Sequence, residues 1–125
     1  MPSLQKCRAA TVLVEDDELL RTCSADIVTE AGFVAVEAAN ADEAVVILEG
    51  RSDIALLFTD IQMPGSMDGL KLAATVRRRW SDIKIILVSG GVEADQRERP
   101  TDSRFFAKPF RSVQMIAGLQ EMIFG

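Results

Sequence analysis

Ile54–Gly69 reads IALLFTDIQMPGSMDG: an apolar run closed by a Thr, a single carboxylate at Asp60, then a Met-Pro-Gly turn. An apolar run too short for a helix and stopped by turn residues has the character of a strand buried on both faces. Asp60 therefore stands where a central parallel strand ends. In open α/β sheets ligands bind beyond the carboxyl ends of the strands, so an acid placed there is a candidate reacting group. The competing reading is an acid that merely starts a turn.

The flanking sequence extends the same unit in both directions. Residues 11–14 (TVLV) form a second apolar run that ends in carboxylates, Glu15, Asp16 and Asp17. From Glu18 to Ala31 the residues Leu20, Cys23, Ile27, Val28 and Ala31 recur at helical spacing, and Gly32 supplies the stop. Phe33–Ala38 reads as a strand, and Asn40 with Glu43 makes a capping box that opens a helix running to Gly50, its inner face Ala44, Ile47 and Leu48. Beyond the central strand, Asp68 caps a helix to about Trp80. Ile83–Val88 is another buried strand, ended by Ser89-Gly90-Gly91, and Phe105–Ala107 is a short one ended by Lys108-Pro109. Ser112 caps the last helix, with Val113, Ile116, Leu119, Gln120 and Ile123 tracing its inner face and edge. Between these, Val92–Ser103 is polar, contains Pro100 and has room for one or two helical turns at most. Five strands alternating with four clear helices predict an α/β domain whose parallel sheet is covered on both faces through right-handed crossovers.

A chain of 125 residues suits one compact domain, and 48% hydrophobic with 26% charged residues suits a soluble one. No apolar run approaches the ~20 residues that cross a bilayer. The opening MPSLQKCRAA lacks the apolar centre of a secretory signal, so a cytoplasmic location without a membrane partner is expected. The net charge of −5 argues against direct nucleic-acid binding, and the basic run Arg77-Arg78-Arg79 closes a helix, where cations complement the dipole. Cys7 and Cys23 read as free thiols. The chain has no histidine, so its own chemistry must run on carboxylates, Lys, Ser/Thr and backbone groups.

The strand ends supply those groups on one rim: Glu15 and Asp16 from the first, Asp60 from the third, Ser89 from the fourth and Lys108 from the fifth. The second, an edge strand, contributes nothing obvious. Like-charged carboxylates about 4 Å apart cost on the order of 4 kcal/mol per pair at an effective dielectric near 20. A divalent cation relieves this, and oxygen ligands favour Mg2+ or Mn2+ shared by Asp16, Asp60 and a phosphoryl group. Without histidine, Asp60 is the candidate nucleophile and its product an acyl phosphate. Lys108 adds a second cation, and Ser89 a hydroxyl that can donate to a phosphoryl oxygen.

Over residues 9–124 the sequence resembles the receiver domain of bacterial two-component response regulators, in the single-domain, chemotaxis-regulator-like form. The motifs VLVEDDE, LLFTDIQMPGSMDG, IILVSGG and FFAKPF carry the resemblance, in the family's order. It implies a flavodoxin-like fold of strand order 2-1-3-4-5, a phosphoacceptor domain over 9–125 and an N-terminal extension over 1–8. It further implies that Asp60 takes a phosphoryl group from a sensor kinase phosphohistidine. Asp16 would bind Mg2+ directly, Glu15 through water and Gln62 through its backbone carbonyl. Lys108 would contact the phosphoryl group and precede a cis bond to Pro109, while Ser89 and Phe105 match the switch pair. Gln62 and Gly91 match positions that tune hydrolysis, and Gly91 brings no side chain to the task.

Two departures stand out: the turn MPGSMDG is one residue longer than usual, and Ser89 to Lys108 is about three residues shorter. The helix before the fifth strand is therefore expected to be short, displaced or missing. The expected function is that of a stand-alone phosphoacceptor that signals by protein contact or relay, not an enzyme beyond its own phosphoryl transfer and autodephosphorylation. Its expected partners are a sensor histidine kinase, a phosphotransfer protein or a second copy in a homodimer. The alternatives are a non-phosphorylated receiver-like interaction module and an aspartate-nucleophile phosphatase. The phosphatase would need a second acid two residues beyond Asp60, where Gln62 stands.

Overall fold

The computed structural model describes residues 10–63, 67–90 and 103–124. The N-terminal extension with Cys7, part of the turn after Asp60, Gly91 and the polar stretch 92–102 lie outside the described residues. The elements run β1 (Ala10–Val14), α1 (Glu18–Glu30), β2 (Val34–Ala38), α2 (Ala41–Gly50), β3 (Ile54–Asp60), α3 (Gly69–Arg79), β4 (Lys84–Ser89), β5 (Ser103–Ala107) and α4 (Ser112–Phe124). The strands form one parallel sheet in the order β2-β1-β3-β4-β5.

The alternation of side chains along each strand divides the core in two. Val12, Val14, Leu57, Ile85 and Leu87 face Ala41, Ala44 and Leu48 of α2 and Leu72, Ala73 and Val76 of α3. Leu13, Leu56, Phe58, Ile86 and Val88 face Val28 of α1, Ala31 that caps its end, and Met115 and Leu119 of α4. Ile54 and Leu57 share a face although three residues apart, because the β1–β3 register shifts between Ala10 and Thr11 and leaves one extra residue on β3.

Helix ends follow local chemistry. Asp17, Asn40 and Asp68 accept from Leu20, Glu43 and Lys71 amides, and the Glu43 carboxylate reaches back to the Ala39 amide. At the end of α1, Gly32 has φ 102° and the Phe33 amide bonds the Val28 carbonyl, the six-to-one closure of a Schellman motif.

Three expectations need correction. Helix α4 begins at Ser112 itself, with the Arg111 carbonyl accepting from Met115, so Ser112 is not the cap. Val113 is 75% exposed and Met115 takes the inner position, because the buried stripe runs through Met115 and Leu119. On α1, Leu20 and Cys23 are exposed, and burial begins one turn later at Ile27 and Val28. The Arg run at the end of α3 is also tied more closely than a helix dipole requires. Arg77 donates to the Ser81 and Ile83 carbonyls, and Arg79 pairs with Glu49 at 2.9 Å while lying over the Trp80 ring. Among the described residues no helix is long and apolar enough to cross a membrane.

Candidate functional site

Asp60 is the last residue of β3 and only 8% exposed. Its Oδ1 accepts from the Gln62 amide at 3.2 Å and its Oδ2 from Lys108 Nζ at 2.9 Å. Lys108 directly follows β5, where its own amide bonds the Ser89 carbonyl at 2.8 Å and so ties the ends of β4 and β5 together. Its Nζ also reaches Glu15 Oε2 at 3.3 Å. Glu15 follows β1, is 6% exposed, and takes the Asp17 amide on its other oxygen at 3.2 Å.

Oxygens of Glu15, Asp16 and Asp60 lie within 4.8 Å of one another, two of the residues buried and Asp16 exposed. Burial, then the hydrogen bond and charge of Asp60, push the Glu15 carboxyl up to about 7. Burial disfavours the Lys108 ammonium, but the hydrogen bond and charge of Asp60, with Glu15 adding, outweigh it and raise its pKa. One ammonium thus faces two buried carboxylates, with a third acid beside them. A hard divalent cation fits this donor set: the ligands are all oxygens, they converge, and Asp16 leaves the group open to solvent.

The remaining residues singled out in the sequence fall as follows. Ser89 is buried at the end of β4, beside Ala107 in the register of β5. Phe105 is half-buried against the α2/α3 side of the core, while Phe106 packs on the other side. Gln62 is exposed, and its amide donates to Asp60. The Lys108–Pro109 bond is cis.

Other contributors were not read from the sequence. Gly69 approaches so closely that a Cβ there would sit 2.0 Å from the Asp60 carbonyl oxygen, and its amide bonds the Ile61 carbonyl. The MDG sequence signalled a helix start but not this contact. Arg21 and Glu37 join the acidic loop to the edge strand. A cavity of about 460 Å3 beside Asp60 and Lys108 is lined by Leu20, Cys23, Ile27, Phe58 and Phe110, which gives the exposed side chains of α1 a place in the site. A larger depression of about 640 Å3 lies at the opposite end of the sheet, between the ends of α2 and α3, and Lys108 and the acidic group take no part in it.

Fold and site together define a doubly wound α/β domain with an acidic cluster and a lysine at the carboxyl rim of its sheet. The family profile of the response regulator receiver domain matches residues 11–120, and the chain belongs to that family. It is 34% identical over 119 residues to the sensor kinase CckA of Brucella abortus, an alignment covering 92% of this chain and 12% of that protein. The fold matches a response regulator receiver protein from Sinorhizobium medicae with TM-score 0.85 at 24% identity, covering 92% and 94% of the two chains. It also matches the response regulator TrrA of Thermotoga maritima, solved with Mg2+ and a beryllofluoride group, with TM-score 0.80 at 23% identity over 92% and 99%.

Proposed function

We propose that this receiver domain accepts a phosphoryl group on Asp60 from the phosphohistidine of a sensor kinase or phosphotransfer protein, with Mg2+ or Mn2+ as cofactor. The observation that carries the proposal is the placement of Asp60 Oδ2 2.9 Å from Lys108 Nζ within a group of three converging carboxylates. A carboxylate oxygen of Asp60 forms the new P–O bond as the P–N bond to the donor imidazole breaks, and the imidazole nitrogen keeps the electron pair and takes up a proton. Glu15, Asp16, Asp60 and the Gln62 carbonyl would hold the cation, which when bound offsets phosphoryl negative charge. Lys108 supplies the second positive charge, its ammonium bonded to Asp60 Oδ2 and Glu15 Oε2. The Gln62 amide holds one Asp60 oxygen, so that the carboxylate presents a defined face.

Once phosphorylated, the rim carries new acceptor oxygens. The Ser89 hydroxyl turns toward them, and Phe105 moves inward into the space behind it. A hydrogen bond to a charged group contributes about 1.5–3 kcal/mol, enough to bias a two-state equilibrium by an order of magnitude or more. The signal then passes by protein contact, to a target or a second copy, or back through a relay. Because the unit is 12% of its kinase relative, the proposal concerns the domain and leaves that kinase's own activity aside. The phosphatase reading is disfavoured by Gln62, which has no acidic proton to give a leaving group. Beryllofluoride binding, followed by amide chemical shifts, tests the site without donor chemistry. Shifts at Asp60, Ser89 and Lys108 that require Mg2+ are expected, and a spectrum unchanged by beryllofluoride and Mg2+ would contradict the proposal.

A further inference from the structure

Both main-chain groups of Glu15 are tied to the end of the edge strand, one directly and one through Arg21. The Glu15 amide donates to the Ala38 carbonyl at 3.1 Å. The Glu15 carbonyl accepts from Arg21 Nη1 at 2.9 Å, and Arg21 Nε donates to Glu37 Oε1 at 3.3 Å. Glu37 and Ala38 are the last two residues of β2. Arg21 stands in the first turn of α1, its amide making the helix's first bond, to the carbonyl of the cap residue Asp17 at 2.8 Å. Its side chain is 18% exposed, so the guanidinium bridges the loop and the sheet edge from a largely covered position.

We propose that Arg21, aimed by Glu37, is a positioning residue for the acidic cluster. It fixes the path of Glu15 and Asp16 so that their oxygens meet those of Asp60. This rests on the cation-binding reading above. A partly exposed ion pair such as Arg21–Glu37 contributes little by itself. Its effect here is to hold a planar fork in the orientation that reaches the Glu15 carbonyl, and a charged donor to a carbonyl is a strong bond. Without it, mutual repulsion of the carboxylates favours an open loop. Lysine keeps the charge but cannot reproduce both bonds of the fork.

The test is titration with Mn2+ alone, free Mn2+ being counted by electron paramagnetic resonance, at a temperature where circular dichroism shows every variant folded. Arg21→Ala is expected to weaken Mn2+ binding about tenfold. Arg21→Lys should recover part of that loss, and Glu37→Ala should weaken binding about threefold. A purely structural role would lower the melting temperature and leave Mn2+ affinity unmoved. Asp16→Asn reports on the underlying reading: binding unaffected by it would overturn the cation site and this inference with it. If Asp16→Asn weakens binding while Arg21→Ala and Glu37→Ala stay within about twofold of the parent, the positioning role alone is overturned. Should Arg21→Ala fail to fold, the exposed Glu37→Ala decides.

Discussion

Glu15 shows how one buried residue sets a pH response. Its carboxyl rises from 4.5 to about 7 through burial and the neighbouring Asp60. Between those values the folded chain holds a proton that the unfolded chain releases, so this contribution is full below the lower value and is lost as pH rises through the upper one. In chelator, urea melts at about pH 5 and about pH 8 should show the parent losing stability with rising pH more steeply than Glu15→Gln. Equal slopes would remove Glu15 from the account. Lys108 is the opposite partner, kept charged by the two carboxylates it bonds. Lys108→Met should cost about 1–3 kcal/mol at alkaline pH, read from the same melts, because two buried acids lose their donor. The sequence made Asp60, Glu15 and Lys108 legible, since each directly ends or follows an apolar strand. It did not reveal Arg21 or Glu37, because a charged residue on an amphipathic helix or an edge strand looks like any solvated one until the register joins them.

At the level of elements, strand and helix identities were legible from periodicity, while faces were less so. Val113 and Met115 are two residues apart on α4, and the sequence favoured the β-branched one. The structure buries Met115 and leaves Val113 outside, since the stripe is set by Leu119 four residues later and by Phe106 against Gly118. Met115→Ala should therefore cost about 2–5 kcal/mol and Val113→Ala less than about 0.5 kcal/mol, by denaturant unfolding. Reversed magnitudes would restore the sequence-based face. Gly69 makes the sharper case. A Cβ there meets the Asp60 carbonyl oxygen at 2.0 Å and the Ile61 Cα at 2.7 Å, both backbone, so nothing flexible can yield. Gly69→Ala should destabilise by about 3 kcal/mol and displace the start of α3 from Asp60. A variant as stable as the parent would show that α3 is held less closely than described.

For the whole molecule, the sheet order β2-β1-β3-β4-β5 brings β1 and β3 side by side and places β4 and β5 beyond them. Acids from the first two and a lysine from the last thus converge although 93 residues separate Glu15 from Lys108. This convergence is what alternating strands and right-handed crossovers predict, and it explains why isolated residues carried a bland reading while the set did not. The polar stretch 92–102, within the shortened span from Ser89 to Lys108, lies outside the described residues. The most direct test of the central claim is intact-protein mass after incubation with acetyl phosphate, with and without Mg2+, beside Asp60→Asn. One phosphoryl adduct that requires both Mg2+ and Asp60 is expected. An adduct of the same yield on Asp60→Asn, or one indifferent to Mg2+, would contradict the claim.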